Sequence, residues 1–256
     1  MRSFLAFFKK ELLETYRSGK LLLLLLLFLA LGIMNPAIAK LIPWLLDVLS
    51  EDLAESGMLI TEVTVDALTS WTQFFKNIPM ALIAFVLILG GIFTREYESG
   101  TLILVLTKGL ARHKILLAKC ALLFTAWTVG YWLCFLVTYA YNAYFWDNGI
   151  AVGLLPATLH WWLFGVLVIA LLTLFSVLSK GYSGVLLGTG TVVLVSYVLS
   201  LLPRLANFMP TSLMNSATLL VGAEKAGDYL PTVVIAVVAS ILCVGISIPI
   251  FHKKQL

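Results

Sequence analysis

The densest chemistry in this sequence lies between Thr94 and Lys119. It runs Thr94-Arg95-Glu96-Tyr97-Glu98-Ser99-Gly100-Thr101-Leu102, continues through an apolar stretch to Leu106, and then reads Thr107-Lys108-Gly109-Leu110-Ala111-Arg112-His113-Lys114 before reaching Lys119. Carboxylates and cations this close are the ingredients of a catalytic site or of a docking surface. Catalysis also needs an activated nucleophile or a metal, and the sequence shows no catalytic pair for a protease or phosphatase. His113, His160 and His252 all fall at the ends of apolar runs, where a place at the membrane–water interface accounts for them. No H-E-x-x-H or paired cysteine–histidine spacing offers a metal site, and no G-x-x-x-x-G-K-[ST] loop offers a cradle for ATP phosphates. A juxtamembrane loop obeying the positive-inside rule accounts for the basic half of the segment, and less well for an acidic cluster followed by an apolar helix. Ser99 or Thr101 can cap a short apolar helix, Glu96 and Glu98 sit where its dipole favours them, and Gly109 ends it. An apolar patch rimmed by charge suits a protein partner.

The elements around this segment follow from composition. Of 256 residues, 61% are hydrophobic and 12% charged, about half the charge usual in a soluble domain. A net charge of +4 indicates no nucleic-acid partner. Cys120, Cys134 and Cys243 lie inside apolar runs; an odd number without metal spacing gives no disulfide framework. Six runs approach the ~20 apolar residues that a spanning helix needs: 20–39, 78–94, 115–139, 154–179, 182–202 and 229–251. The second is short, with Asn77 and Pro79 marking its outer end. Near-continuous apolar runs exclude the alternating pattern of a barrel. The first run has no cleavage site and is read as a retained span. The expectation is one all-α membrane domain over residues 1–256.

Orientation follows from lysine and arginine. With six spans, thirteen of the 17 basic residues fall on the side of the N-terminus, and nine of the 13 acidic residues fall opposite. That predicts cytoplasmic termini. Residues 1–19 carry Phe4, Phe7, Phe8, Leu12 and Tyr16 at helical spacing and read as an amphipathic helix on the inner surface. Residues 40–76 form an acidic outer loop containing Trp44, Leu45, Val48 and Leu49, for which short surface helices are expected. A helical piece is expected near 212–224. Tyr139, Tyr141, Tyr144, Trp146, Trp161 and Trp162 read as an interfacial aromatic belt. No ionisable residue lies mid-span; Lys119 comes nearest and is expected to snorkel toward headgroups.

The 94–119 segment resembles the signature of the ABC-2 type transporter permeases, whose second span ends in a pattern like R-E-x-E-x-G-T-L. An apolar stretch, S-K-P, a basic pair and I-L-x-x-K follow. Arg95, Glu96, Glu98, Gly100, Thr101 and Leu102 match the first part, Lys108 the S-K-P lysine, and Arg112, Lys114 and Lys119 the basic part. Thr107 and Gly109 depart from the usual serine and proline. The resemblance implies a coupling helix between spans two and three that docks on a separate ATP-binding subunit, with Arg95, Glu96, Glu98, Gly100, Thr101, Leu102 and Leu104 carrying the contact. It further implies two ATP-binding subunits holding ATP and Mg, a second permease subunit (a homodimer in the simplest case), no cofactor or catalysis on this chain, and a bacterial plasma membrane.

Cargo is argued from what the spans contain. Trp127, Tyr131, Trp132, Thr138 and Tyr197 are the candidates for lining a pathway, and such a lining suits an amphipathic peptide or lipophilic molecule. Gly184 and Gly188 permit close helix approach, within a subunit or between two. A non-transporting anchor or regulator of a soluble partner, and an integral membrane enzyme, are the alternative readings.

Overall fold

The computed structural model describes residues 2–48, 65–98, 100–107, 109–215 and 217–254, with the main chain alone at 2, 46, 47, 97, 98 and 103–105. The helices are α1 (Arg2–Arg17), α2 (Lys20–Val48), α3 (Ala67–Leu89), α4 (Thr94–Glu98), α5 (Thr101–Thr107), α6 (Arg112–Phe145), α7 (Leu154–Leu178), α8 (Tyr182–Ser200), α9 (Ala217–Leu220) and α10 (Leu230–Lys253). No strand occurs among the described residues. Six helices are long and apolar enough to cross a membrane: α2, α3, α6, α7, α8 and α10. The chain is a multi-pass helical membrane protein.

α2, α3 and α6 pack as one group, and α8 and α10 pack on α7, with α6 and α7 joining the two groups. α7 is the most buried span, whereas α8 and α10 turn most of their surface outward. Aromatic rings fill the middle. Trp127 meets Phe28, Phe85 and Tyr131 at centroid distances of 5.9, 5.6 and 5.3 Å. Gly165 of α7 makes room for it, because a Cβ there would lie 2.2 Å from the Trp127 ring.

The second span begins eleven residues earlier than the apolar run at Ile78 indicates. Asn77 and Pro79 lie within the helix and do not mark its end. Asp66 caps the start, its Oδ1 accepting from the Thr69 N–H at 2.9 Å. Trp71, Phe74, Phe75 and Ile78 then form a buried stripe. Ser70, Thr72, Gln73, Lys76 and Asn77 dilute the mean hydropathy of that stretch, which hid the span. α2 likewise continues through Pro36 and Pro43. Much of the expected outer loop is therefore helix. Leu49, Glu51, Asp52, Glu55 and Glu62 lie outside the described residues.

Pro36 has no N–H for the Gly32 carbonyl one turn before it. The Thr138 hydroxyl donates to that carbonyl instead, at 3.0 Å. Asn35 Nδ2 donates to Thr138 Oγ1 at 3.3 Å, and Asn77 Nδ2 donates to Asn35 Oδ1 at 2.8 Å. One polar chain thus joins α2, α3 and α6 where a proline and two asparagines would otherwise leave buried polar groups open.

At the end bearing the acidic residues, a 3-10 turn at Pro210–Met214 and the short α9 stand where a longer helical piece was expected. Trp161 is buried and donates its indole N–H to the Met214 carbonyl at 3.2 Å, so it belongs to the core and not to the aromatic belt. Tyr139, Tyr141 and Tyr144 are exposed, as a belt requires. Gly184 and Gly188 face Ser179 and the Phe175 ring of the same chain, which places this glycine pair in packing within the subunit.

Candidate functional site

At the basic end, α3 stops in a 3-10 turn, Gly90–Ile92, and the chain bends through Phe93 into α4. Gly100 (φ +67°) and Gly109 (φ +80°) flank α5. Nothing lies within 4 Å of a Cβ built at either one. The left-handed backbone, and not lack of space, is what calls for glycine there. Leu102 is buried and anchors α5, with Leu106 and Leu110 partly buried against the same core. Arg95, Thr101 and Thr107 are exposed. Thr101 opens α5 as its first helical residue. Ser99 and Lys108, and the side chains of Glu98 and Leu104, lie outside the described residues.

α1 packs on α6 and α2, and its buried stripe is Phe7, Glu11 and Thr15. Leu12, Leu13 and Tyr16 are exposed, so the buried face differs from the Phe4–Tyr16 apolar face read from the spacing. A carboxylate at the centre of a buried stripe needs a partner. It has one in Lys119, which is 2% exposed. Lys119 Nζ donates to Glu11 Oε2 at 2.7 Å and to the Ile92 carbonyl at 3.1 Å, and faces Glu96 Oε2 at 3.2 Å. This corrects the expectation that Lys119 snorkels to headgroups. Two of the ammonium's three donors are used in these hydrogen bonds, the Glu96 contact being an ion pair alone, and the Ile92 carbonyl lies at the C-terminal end of the second span, where the helix dipole favours a cation.

Lys10 closes the cluster from outside, at 2.9 Å from Glu11, 2.8 Å from Glu14 and 3.2 Å from Glu96. Partial burial works against its charge, and the hydrogen bonds to Glu14 and Glu11 outweigh that and hold its pKa above the ordinary value. The hydrogen bond from Lys10 in turn holds Glu14 below its ordinary value. Glu96 is therefore an interior residue that ties α4 to α1 and α6, whereas Arg95 points outward.

Two further ties fix the segment. Arg112 Nη1 donates to the carbonyls of Phe251, His252 and Lys254 at 3.2, 3.2 and 2.5 Å, covering the C-terminal end of α10. Lys114 Nζ donates to Ser3 Oγ at 3.1 Å. Burial lowers the pKa of Lys254, whose Nζ donates to the Ser179 carbonyl at 2.7 Å.

Of the pathway candidates, Trp127, Tyr131 and Thr138 are buried in the core. Trp127 and Tyr131 donate to the carbonyls of Trp162 (3.1 Å) and Thr158 (2.8 Å). Trp132 is half-buried beside Tyr131, and Tyr197 of α8 is exposed. Glu11 and Lys10 were missed in the sequence. The available signal was a glutamate one turn after Phe7, on what would otherwise be an apolar face.

These features define a helical membrane protein whose second span leads into a short helix secured by buried ions and then into a glycine-bracketed surface helix anchored by Leu102. The chain belongs to the ABC-2 family transporter proteins, whose family model matches residues 5–256. No curated protein matches it. Members of this family are transmembrane components that lack ATPase activity of their own and generally work with an ATP-binding subunit.

Proposed function

We propose that this chain is the membrane subunit of an ATP-driven exporter and that its α4–α5 segment docks on the ATP-binding subunit. The observation that carries this reading is a seven-residue helix set between two left-handed glycines. Leu102 anchors it inward, while Arg95 and Thr101 face out. With Gly100 and Leu102 setting the pose, Arg95, Thr101, Glu98 and Leu104 supply the contact. Glu96 acts from beneath. The basic end faces the cytoplasm by the positive-inside rule, so both termini lie there, in a bacterial plasma membrane. α1 lies along that surface with Leu12, Leu13 and Tyr16 toward lipid.

Two copies of this chain and two ATP-binding subunits, which hold ATP and Mg, make the working unit. Packed rings fill the interior of one chain, so the pathway runs along the exposed faces between copies, with Tyr197 on one such face. Apolar faces of this kind suit an amphipathic peptide or a lipophilic molecule.

The test is co-expression with the candidate ATP-binding subunit, purification in lipid, and assay of ATP hydrolysis with and without the membrane chain. The reading predicts a stable complex with altered hydrolysis, and loss of both with Thr101→Trp. Wild-type association and hydrolysis in that variant would remove α5 from the interface.

A further inference from the structure

We infer that Glu11, Lys119 and Glu96 form a mechanical link that makes the docking segment, the N-terminal helix and the start of the third span move as one body. This inference rests on the docking reading above. A single nitrogen, Lys119 Nζ, gathers oxygens from three other places in the chain: Glu11 of α1, the Ile92 carbonyl at the end of the second span, and Glu96 of α4. The residues it joins are 108 and 27 positions away for the two hydrogen bonds. Glu11, Glu96 and Lys119 are each less than a tenth exposed. Lys10 joins Glu11 to Glu96 a second time.

Apolar side chains let neighbouring helices slide by small steps. A buried ion cluster does not, because a carboxylate drawn away from its ammonium finds no water to replace it. α4 therefore keeps its place relative to α1 and α6, or the whole cluster opens together. A push delivered at α5 passes through Gly100 to α4, through Glu96 to Lys119, and so into the base of α6. α6 is a single helix from Arg112 to Phe145, which carries the movement to the opposite end of the molecule. Lys119 and Glu11 are thus positioning residues for coupling, and neither touches the ATP-binding subunit.

The decisive variant removes the charges without stranding one. Glu11→Gln, Glu96→Gln and Lys119→Met together leave no unpaired buried ion, so the fold is retained. Tyr144, exposed at the far end of α6, is changed to cysteine, and the three native cysteines are changed to alanine. The rate of modification by a membrane-impermeant maleimide is then measured for the complex in lipid, with and without ATP and vanadate. With the ion cluster intact, ATP and vanadate change that rate. In the triple variant the complex still forms and still hydrolyses ATP, and the rate change is lost; the single Lys119→Arg variant retains it. A triple variant whose Tyr144→Cys rate still responds as in the intact protein overturns the link. Failure of the intact chain to form a complex at all overturns the docking reading, and this inference with it.

Discussion

Lys119 shows how one charge is made tolerable at the edge of a membrane. Removing only the cation leaves Glu11 and Glu96 buried without their main partner, and breaking a buried pair in this way costs about 3–5 kcal/mol. Lys119→Met is expected to lower the thermal unfolding temperature in lipid sharply, and adding Glu11→Gln and Glu96→Gln is expected to recover most of the loss. The outer rim of the cluster responds differently. Glu14 is more than half exposed, so solvent screening holds its contribution below about 1 kcal/mol. Its folded pKa is depressed, so that contribution is present in full above the ordinary value of 4.5 and fades as pH falls through the lower folded value. The raised pKa of Lys10 means that its own contribution is lost only in strong alkali. The difference in unfolding temperature between wild type and Glu14→Gln should be small and constant near neutral pH and should vanish in acid. In the polar chain, Thr138→Val strips the donor from the Gly32 carbonyl and should cost about 1–3 kcal/mol. With Pro36→Ala, a backbone N–H returns to that carbonyl, so the same Thr138→Val change should cost less, as a double-mutant cycle would measure.

At the scale of elements, α5 owes its pose to its two glycines. A left-handed backbone costs a residue with a Cβ roughly 1–2 kcal/mol, so Gly109→Ala is expected to shift α5 more than it destabilises the spans. The measurable result is weaker binding of the ATP-binding subunit at nearly unchanged unfolding temperature. Gly109 was legible in the sequence as a helix breaker, and the six spans were legible as apolar runs. The early start of α3 was not, because its buried stripe of Trp71, Phe74 and Phe75 is interleaved with polar residues that a running hydropathy average cannot separate. The burial of Lys119 was not legible either. The sequence places it one turn inside the membrane, and only the packing of α1 across the base of α6 brings Glu11 to it. Trp161 misled for a related reason: an indole at the end of a span suits an interface equally well until a neighbouring loop, with the Met214 carbonyl, covers it.

At the scale of the molecule, the interior is closed and the exterior is apolar. Trp127, Tyr131 and Thr138 are buried and hydrogen-bonded inside one chain, while α8 and α10 keep most of their surface outward. In the function proposed above, such a chain gains a pathway by pairing, and gains an energy source by docking a partner at the basic end, where α1, α4, α5 and the C-terminal end of α10 converge. The family match covers nearly the whole chain, from residue 5 to 256, so α4 and α5 belong to the matched region along with the spans. The most direct test of the docking claim places a photo-crosslinking amino acid at Thr101, and in parallel at Tyr144, in cells that also express the ATP-binding subunit. A crosslink to that subunit from position 101 and none from position 144 is the predicted result. A crosslink from 144, or a stable complex with no crosslink from 101, would contradict the account.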